Sequence, residues 1–126
     1  MIALILDAGA LIAVDRGDRA MNDLIQDAPR AGRPVRTNPN AVAQVWRNGA
    51  KQSRLARLLR DVKIQPLTRE DGYRAGELLG TTRTKDVVDA TVALLVRAAD
   101  EVYTSDPADL RKLCEATGFK AVVITC

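Results

Sequence analysis

The chain begins with an unbroken apolar run, Met1-Ile2-Ala3-Leu4-Ile5-Leu6, that stops at Asp7. A short run of this kind predicts a strand covered on both faces, here residues 2–6. The pattern then changes to helical spacing. A short helix is expected over 8–14, ended near Gly17. A second is expected over 18–31, where Met21, Leu24, Ile25 and Ala28 recur behind an Asp18 cap. Residues 34–37 read as a second strand, and Asn38-Pro39-Asn40 as the turn that starts a helix through Trp46. Asn48-Gly49 ends that helix. Residues 51–60 predict a helix with Leu55, Leu58 and Leu59 inward and basic side chains outward. A short strand follows at 62–64, then a helix over 68–79 capped by Thr68 with Asp71 three residues on. After a polar loop at 80–85, the most apolar helix spans 86–99, followed by a strand over 101–104, a helix over 107–117 ended by Gly118, and a last strand over 121–125.

Strands alternating with helices predict an α/β domain built on a parallel sheet. The 126 residues suit one domain, spanning 1–126, and 47% hydrophobic residues can form its core without metal or disulfide support. Aromatics are only 3%, so Leu, Val, Ile and Ala must fill that core. No apolar run reaches the roughly 20 residues of a membrane span. No basic segment precedes the first apolar run, so no signal peptide is expected. Cys114 and Cys126 form no CxxC pair. A cytoplasmic protein with reduced thiols and no membrane association is the expectation.

The net charge of +3 says less than its distribution. Between positions 47 and 63 stand Arg47, Lys51, Arg54, Arg57, Arg60 and Lys63, against Asp61 alone, and Arg30, Arg33 and Arg36 form a smaller basic group. By default such a run is a solvated helix face. Its spacing also suits the backbone of a nucleic acid. Trp46 reads as a core or interface anchor.

The chain has no histidine. That removes histidine-based triads for Ser53, Ser105 or Cys114, and Gly9 and Gly17 fit no phosphate-loop or dinucleotide pattern. The carboxylates are the remaining chemistry. Asp7 and Asp106 follow predicted strands, and Asp86 opens a predicted helix. In right-handed strand–helix–strand units all three lie on one rim of the sheet, where open α/β sheets bind ligands. Taken singly, each aspartate is an ordinary helix cap, Asp106-Pro107 especially so. Taken together, they suit a divalent cation that acidifies water and stabilises developing negative charge. Asp86 and Asp89 are three apart and repel each other on one helix face, a penalty a cation would remove. Asp89 alone also suits the helix dipole.

Four segments carry a resemblance: Leu6-Asp7-Ala8-Gly9-Ala10-Leu11-Ile12-Ala13, Ala43-Gln44-Val45-Trp46-Arg47, Asp86-Val87-Val88-Asp89-Ala90 and Thr104-Ser105-Asp106-Pro107-Ala108-Asp109-Leu110. Together they resemble the PIN-domain family, with closest similarity to small toxin ribonucleases of the VapC type. The resemblance covers the whole chain. It implies a three-layer α/β/α fold with a central parallel sheet. It also implies a Mg²⁺- or Mn²⁺-dependent endoribonuclease that hydrolyses RNA phosphodiesters, works as a homodimer and is held inactive by a cognate antitoxin. Carried over by position, Asp7, Asp86 and Asp106 match the family's acidic catalytic and metal site. Asp89 and Gln44 are further candidates around the metal, and Arg47, Lys51, Arg54 and Ser105 are candidate RNA contacts. Gln44 stands where the family has glutamate. An amide offers a carbonyl oxygen but no charge, so weaker metal binding is expected. The alternative is a PIN-fold module that binds RNA or protein with little or no catalysis. A phosphoryl-accepting receiver domain is disfavoured, because Val62-Lys63-Ile64-Gln65-Pro66 supplies no phosphoacceptor aspartate.

Overall fold

The computed structural model describes residues 1–126. Strands β1 (Leu4–Leu6), β2 (Val35–Thr37), β3 (Lys63–Ile64), β4 (Glu101–Thr104) and β5 (Val122–Thr125) form one all-parallel sheet in the order β3-β2-β1-β4-β5. Leu4, Ile5 and Leu6 have no exposed surface, as a central strand covered on both faces requires. Helices α1 (Ala8–Asp15), α2 (Arg19–Asp27), α3 (Pro39–Val45) and α4 (Ser53–Leu59) connect β1 to β2 and β2 to β3. Helices α5 (Arg69–Thr82), α6 (Val87–Ala93) and α7 (Pro107–Thr117) connect β3 to β4 and β4 to β5. The first group packs around α1, while α5, α6 and α7 pack on one another. From β1 the chain winds one way through β2 and β3, then returns across the sheet to β4 and β5. Right-handed crossovers therefore place the two groups on opposite faces, giving α/β/α layers. No helix is long and apolar enough to cross a membrane.

Three boundaries differ from expectation. Helix α5 continues through the expected polar loop to Thr82, and Arg83 ends it in the left-handed region at φ 57°. The Thr82 hydroxyl donates to Leu78 O at 2.8 Å, so the polar residues there bond within the helix. Helix α6 ends at Ala93 rather than 99, although Leu94, Leu95 and Val96 remain buried in tight turns. Burial alone made those residues resemble helix. Helix α2 stops at Asp27, because Pro29 lacks an amide hydrogen and opens a short 3-10 turn over Pro29–Ala31.

The chain reverses into β4 over a buried carboxylate. Asp100 Oδ1 accepts the Ala3 amide at 2.9 Å, and Oδ2 accepts the Arg97 amide at 2.8 Å and Arg36 Nη2 at 3.3 Å. These bonds tie β1, β2 and β4 together at the rim opposite Asp7. Asp100→Ala would leave the Arg36 guanidinium and two amides without an acceptor. A loss of roughly 3 kcal/mol is expected, read as a lower midpoint in urea.

Candidate metal centre

The strand order reverses between β1 and β4, which leaves a crevice at their carboxyl ends. Asp7 and Asp106 stand on its two sides. Asp7 is 3% exposed, and its carboxylate is held from two directions. Oδ1 accepts the Ala8 amide at 2.6 Å, and Oδ2 accepts the Thr104 hydroxyl at 2.7 Å. The same hydroxyl accepts the Asp106 amide at 2.9 Å, so Thr104 couples the two loops.

The capping reading separates the aspartates. Asp86 is exposed and does cap α6, accepting the Asp89 amide at 3.0 Å. Asp106 occupies the cap position of α7 with Pro107 next, yet its side chain makes no cap hydrogen bond. Its carboxylate faces neighbours of its own charge instead. Single carboxylate oxygens of Asp89, Asp106 and Asp109 lie within 4.8 Å of one another.

Asp89 is the centre of this group. It is 5% exposed, and no donor reaches its buried Oδ2. Burial, then the negative charges of Asp7, Asp86 and Asp106, push its carboxyl up to about 8. Burial also raises Asp7, against the hydrogen bonds from Thr104 and Ala8. Without a cation, this crowding favours a proton held among Asp89 and its neighbours.

Of the expected trio, Asp106 alone joins the tight cluster, while Asp7 and Asp86 act on Asp89 through their charge; two further points differ from expectation. Asp89 is central, where a flanking role was expected. Asp109 was not singled out from the sequence. The signal was present: Asp106 and Asp109 have the i, i+3 spacing of Asp86 and Asp89, at the first turn of the next helix. Packing of α6 on α7 brings the two pairs together.

The other candidates make no hydrogen bond to these carboxylates. Gln44 is exposed on α3 and its side chain makes no hydrogen bond; one turn earlier, Asn40 Nδ2 donates to Thr91 Oγ1 at 3.3 Å and ties α3 to α6. Arg47 folds back, with Nη1 donating to Ala43 O at 2.9 Å and Trp46 O at 2.7 Å. Lys51 and Arg54 are exposed. Buried Gln52 holds their loop, accepting the Arg47 and Asn48 amides and donating to Val45 O and Asp15 Oδ2. Trp46 is 37% exposed and packs over Gly49.

Ser105 is exposed at the rim, where its loop runs against the first turn of α1. A Cβ on Gly9 would lie 2.6 Å from Ser105 N, so only glycine permits this approach. Gly9→Ala is expected to push the Asp106 loop outward and to cost about 1–3 kcal/mol, measured by thermal unfolding.

The donor set fits a hard divalent ion. All the groups are carboxylates, and a spread of 4.8 Å is close to twice a metal–oxygen bond of about 2.0–2.5 Å. Comparison with known protein families and with curated proteins finds no match.

Proposed function

We propose that this chain is a Mg²⁺- or Mn²⁺-dependent endoribonuclease of the PIN type, acting in the cytoplasm as the toxin of a toxin–antitoxin pair. The observation that carries the reading is the buried, unpartnered Oδ2 of Asp89 among four other carboxylates. A folded protein keeps such an arrangement at a cost in stability, and a cation removes that cost. The resemblance of the four motifs supplies the substrate class, the antitoxin and the homodimer.

In this reading Asp89, Asp106 and Asp109 would hold the ion, with Asp7 and Asp86 flanking it. When bound, the ion supplies an acidified water and stabilises charge on the phosphate in flight. Thr104 keeps Asp7 and the Asp106 loop in register. Lys51 and Arg54 face solvent, free to neutralise backbone phosphates. Ser105, exposed beside Asp106, would hydrogen-bond a phosphate entering the crevice. The test is cleavage of structured RNA with Mg²⁺ or Mn²⁺, with EDTA, and with Asp7→Asn. Cleavage should need the metal and Asp7; cleavage that survives both controls would remove the proposal.

Gln44 favours a second reading, an RNA- or protein-binding module without catalysis. Calorimetry separates the two, because the module binds no Mn²⁺ at millimolar concentration.

A further inference from the structure

A second concentration of like charge lies outside the acidic crevice. A cavity of about 320 Å³ opens between the Gly17 turn, α2 and α4. Its polar lining is Arg19, Arg54, Arg57, Asn22, Gln26 and Asp18. The protein's three ion pairs, Arg30–Asp27, Arg33–Glu101 and Arg36–Asp100, use none of these arginines. Asp18 is the one acid in the lining, and its Oδ1 is engaged by the Met21 amide at 3.0 Å as the cap of α2. Arg54 and Arg57 are three apart on α4 and share a face, so they repel each other. Gly17, at φ 84°, gives the Arg54 head its place: a Cβ there would sit 3.3 Å from Arg54 Cζ. Three arginines therefore line one hollow against a single carboxylate, Asp18, and the lining keeps an excess of positive charge.

Resting on the nuclease reading, we propose that this cavity binds a backbone phosphate of single-stranded RNA, at a distance from the bond to be cut. Guanidinium forks match pairs of phosphate oxygens, and a phosphodiester strand presents such groups in series. The Asn22 and Gln26 amides, one turn apart on α2, add neutral donors beside the charge. A strand anchored here would have one phosphate fixed by arginine while another enters the acidic crevice.

The experiment uses the full chain in EDTA, so that binding is read without cleavage. A fluorescent single-stranded RNA is titrated over a salt series into the native protein and into the double variant Arg19→Gln, Arg57→Gln. The double variant is expected to bind at least about tenfold more weakly, with a log–log salt slope reduced by roughly 0.7 for each lost phosphate contact. Arg57→Lys, which keeps the charge and loses the fork, controls for folding and should retain most of the slope. Competition with inorganic phosphate distinguishes a free anion as the ligand. An unchanged RNA affinity and slope in the double variant would overturn the assignment, whether or not free phosphate binds there. Mn²⁺ titration of the same variant should match the native protein. Failure of the native chain to bind Mn²⁺ would strike the nuclease reading and leave the cavity result intact.

Discussion

Asp106→Asn is expected to weaken Mn²⁺ binding by more than about 100-fold and to reduce RNA cleavage with it, while the fold survives. Replacing groups that merely orient a metal ligand already costs about 10–100-fold in affinity, and Asp106 would itself be a ligand. The substitution is informative because the Asp106 side chain bonds no backbone group of α7. It stands at the cap position of α7 without capping it, and Pro107 makes the cap less necessary. Asparagine has the same shape and is an equally good cap, so helix stability should not fall. Asp86→Asn is the natural comparison, since the cap bond to the Asp89 amide can be kept by the asparagine oxygen. Calorimetric titration and thermal unfolding of the metal-free proteins together separate lost charge from lost structure. An Asp106→Asn protein that binds Mn²⁺ as the native chain does would remove this carboxylate from the metal centre.

The second large effect is on stability against pH in metal-free buffer. Asp7 and Asp89 both have folded-state values raised by burial, with Asp89 pushed up to about 8. Unfolding returns both to ordinary values near 4, so between about pH 4 and pH 8 the folded protein holds more protons than the unfolded chain. The Asp89 contribution is fully present below pH 4 and is lost as the pH rises through 8, and Asp7, raised in the same direction, adds to the fall. Metal-free protein should therefore melt at progressively lower temperature across that interval. Asp89→Asn should flatten the profile and raise the melting temperature at pH 8, at roughly 3–5 °C per kcal/mol for a chain of this size. Mn²⁺ should flatten the native profile too, because the ion replaces the proton among the carboxylates. A native profile with no such fall would mean that the carboxyls are not crowded in solution.

Much of the architecture is readable from hydrophobic spacing. The five strands, the parallel pairing and the rim that collects Asp7, Asp86 and Asp106 follow from periodicity and crossover handedness. The errors have physical causes. Residues 94–96 are buried without being helical, and periodicity cannot distinguish an apolar turn from an apolar helix. From the sequence Asp89 stands only at the flank of the metal, because its burial depends on packing of helices distant in sequence. Asp109 was legible in principle, since Asp106-Pro107-Ala108-Asp109 repeats the spacing of Asp86-Val87-Val88-Asp89 on the next helix. Arg47 looked like a free cation, but its guanidinium satisfies carbonyls at the end of α3 that would otherwise lack donors. The exposed position of Gln44 depends on how α3 is turned, which two buried residues, Ala41 and Val45, decide.

The central proposition is that crowded acids at the carboxyl ends of β1 and β4 are completed by a divalent ion. Thermal unfolding of the native chain at pH 8, with Mn²⁺ added to a metal-free sample, addresses it most directly. The melting temperature should climb with the logarithm of free Mn²⁺, reaching a gain of about 2.7 kcal/mol once the ion exceeds its dissociation constant 100-fold. A melting temperature that stays fixed through millimolar Mn²⁺ would contradict it.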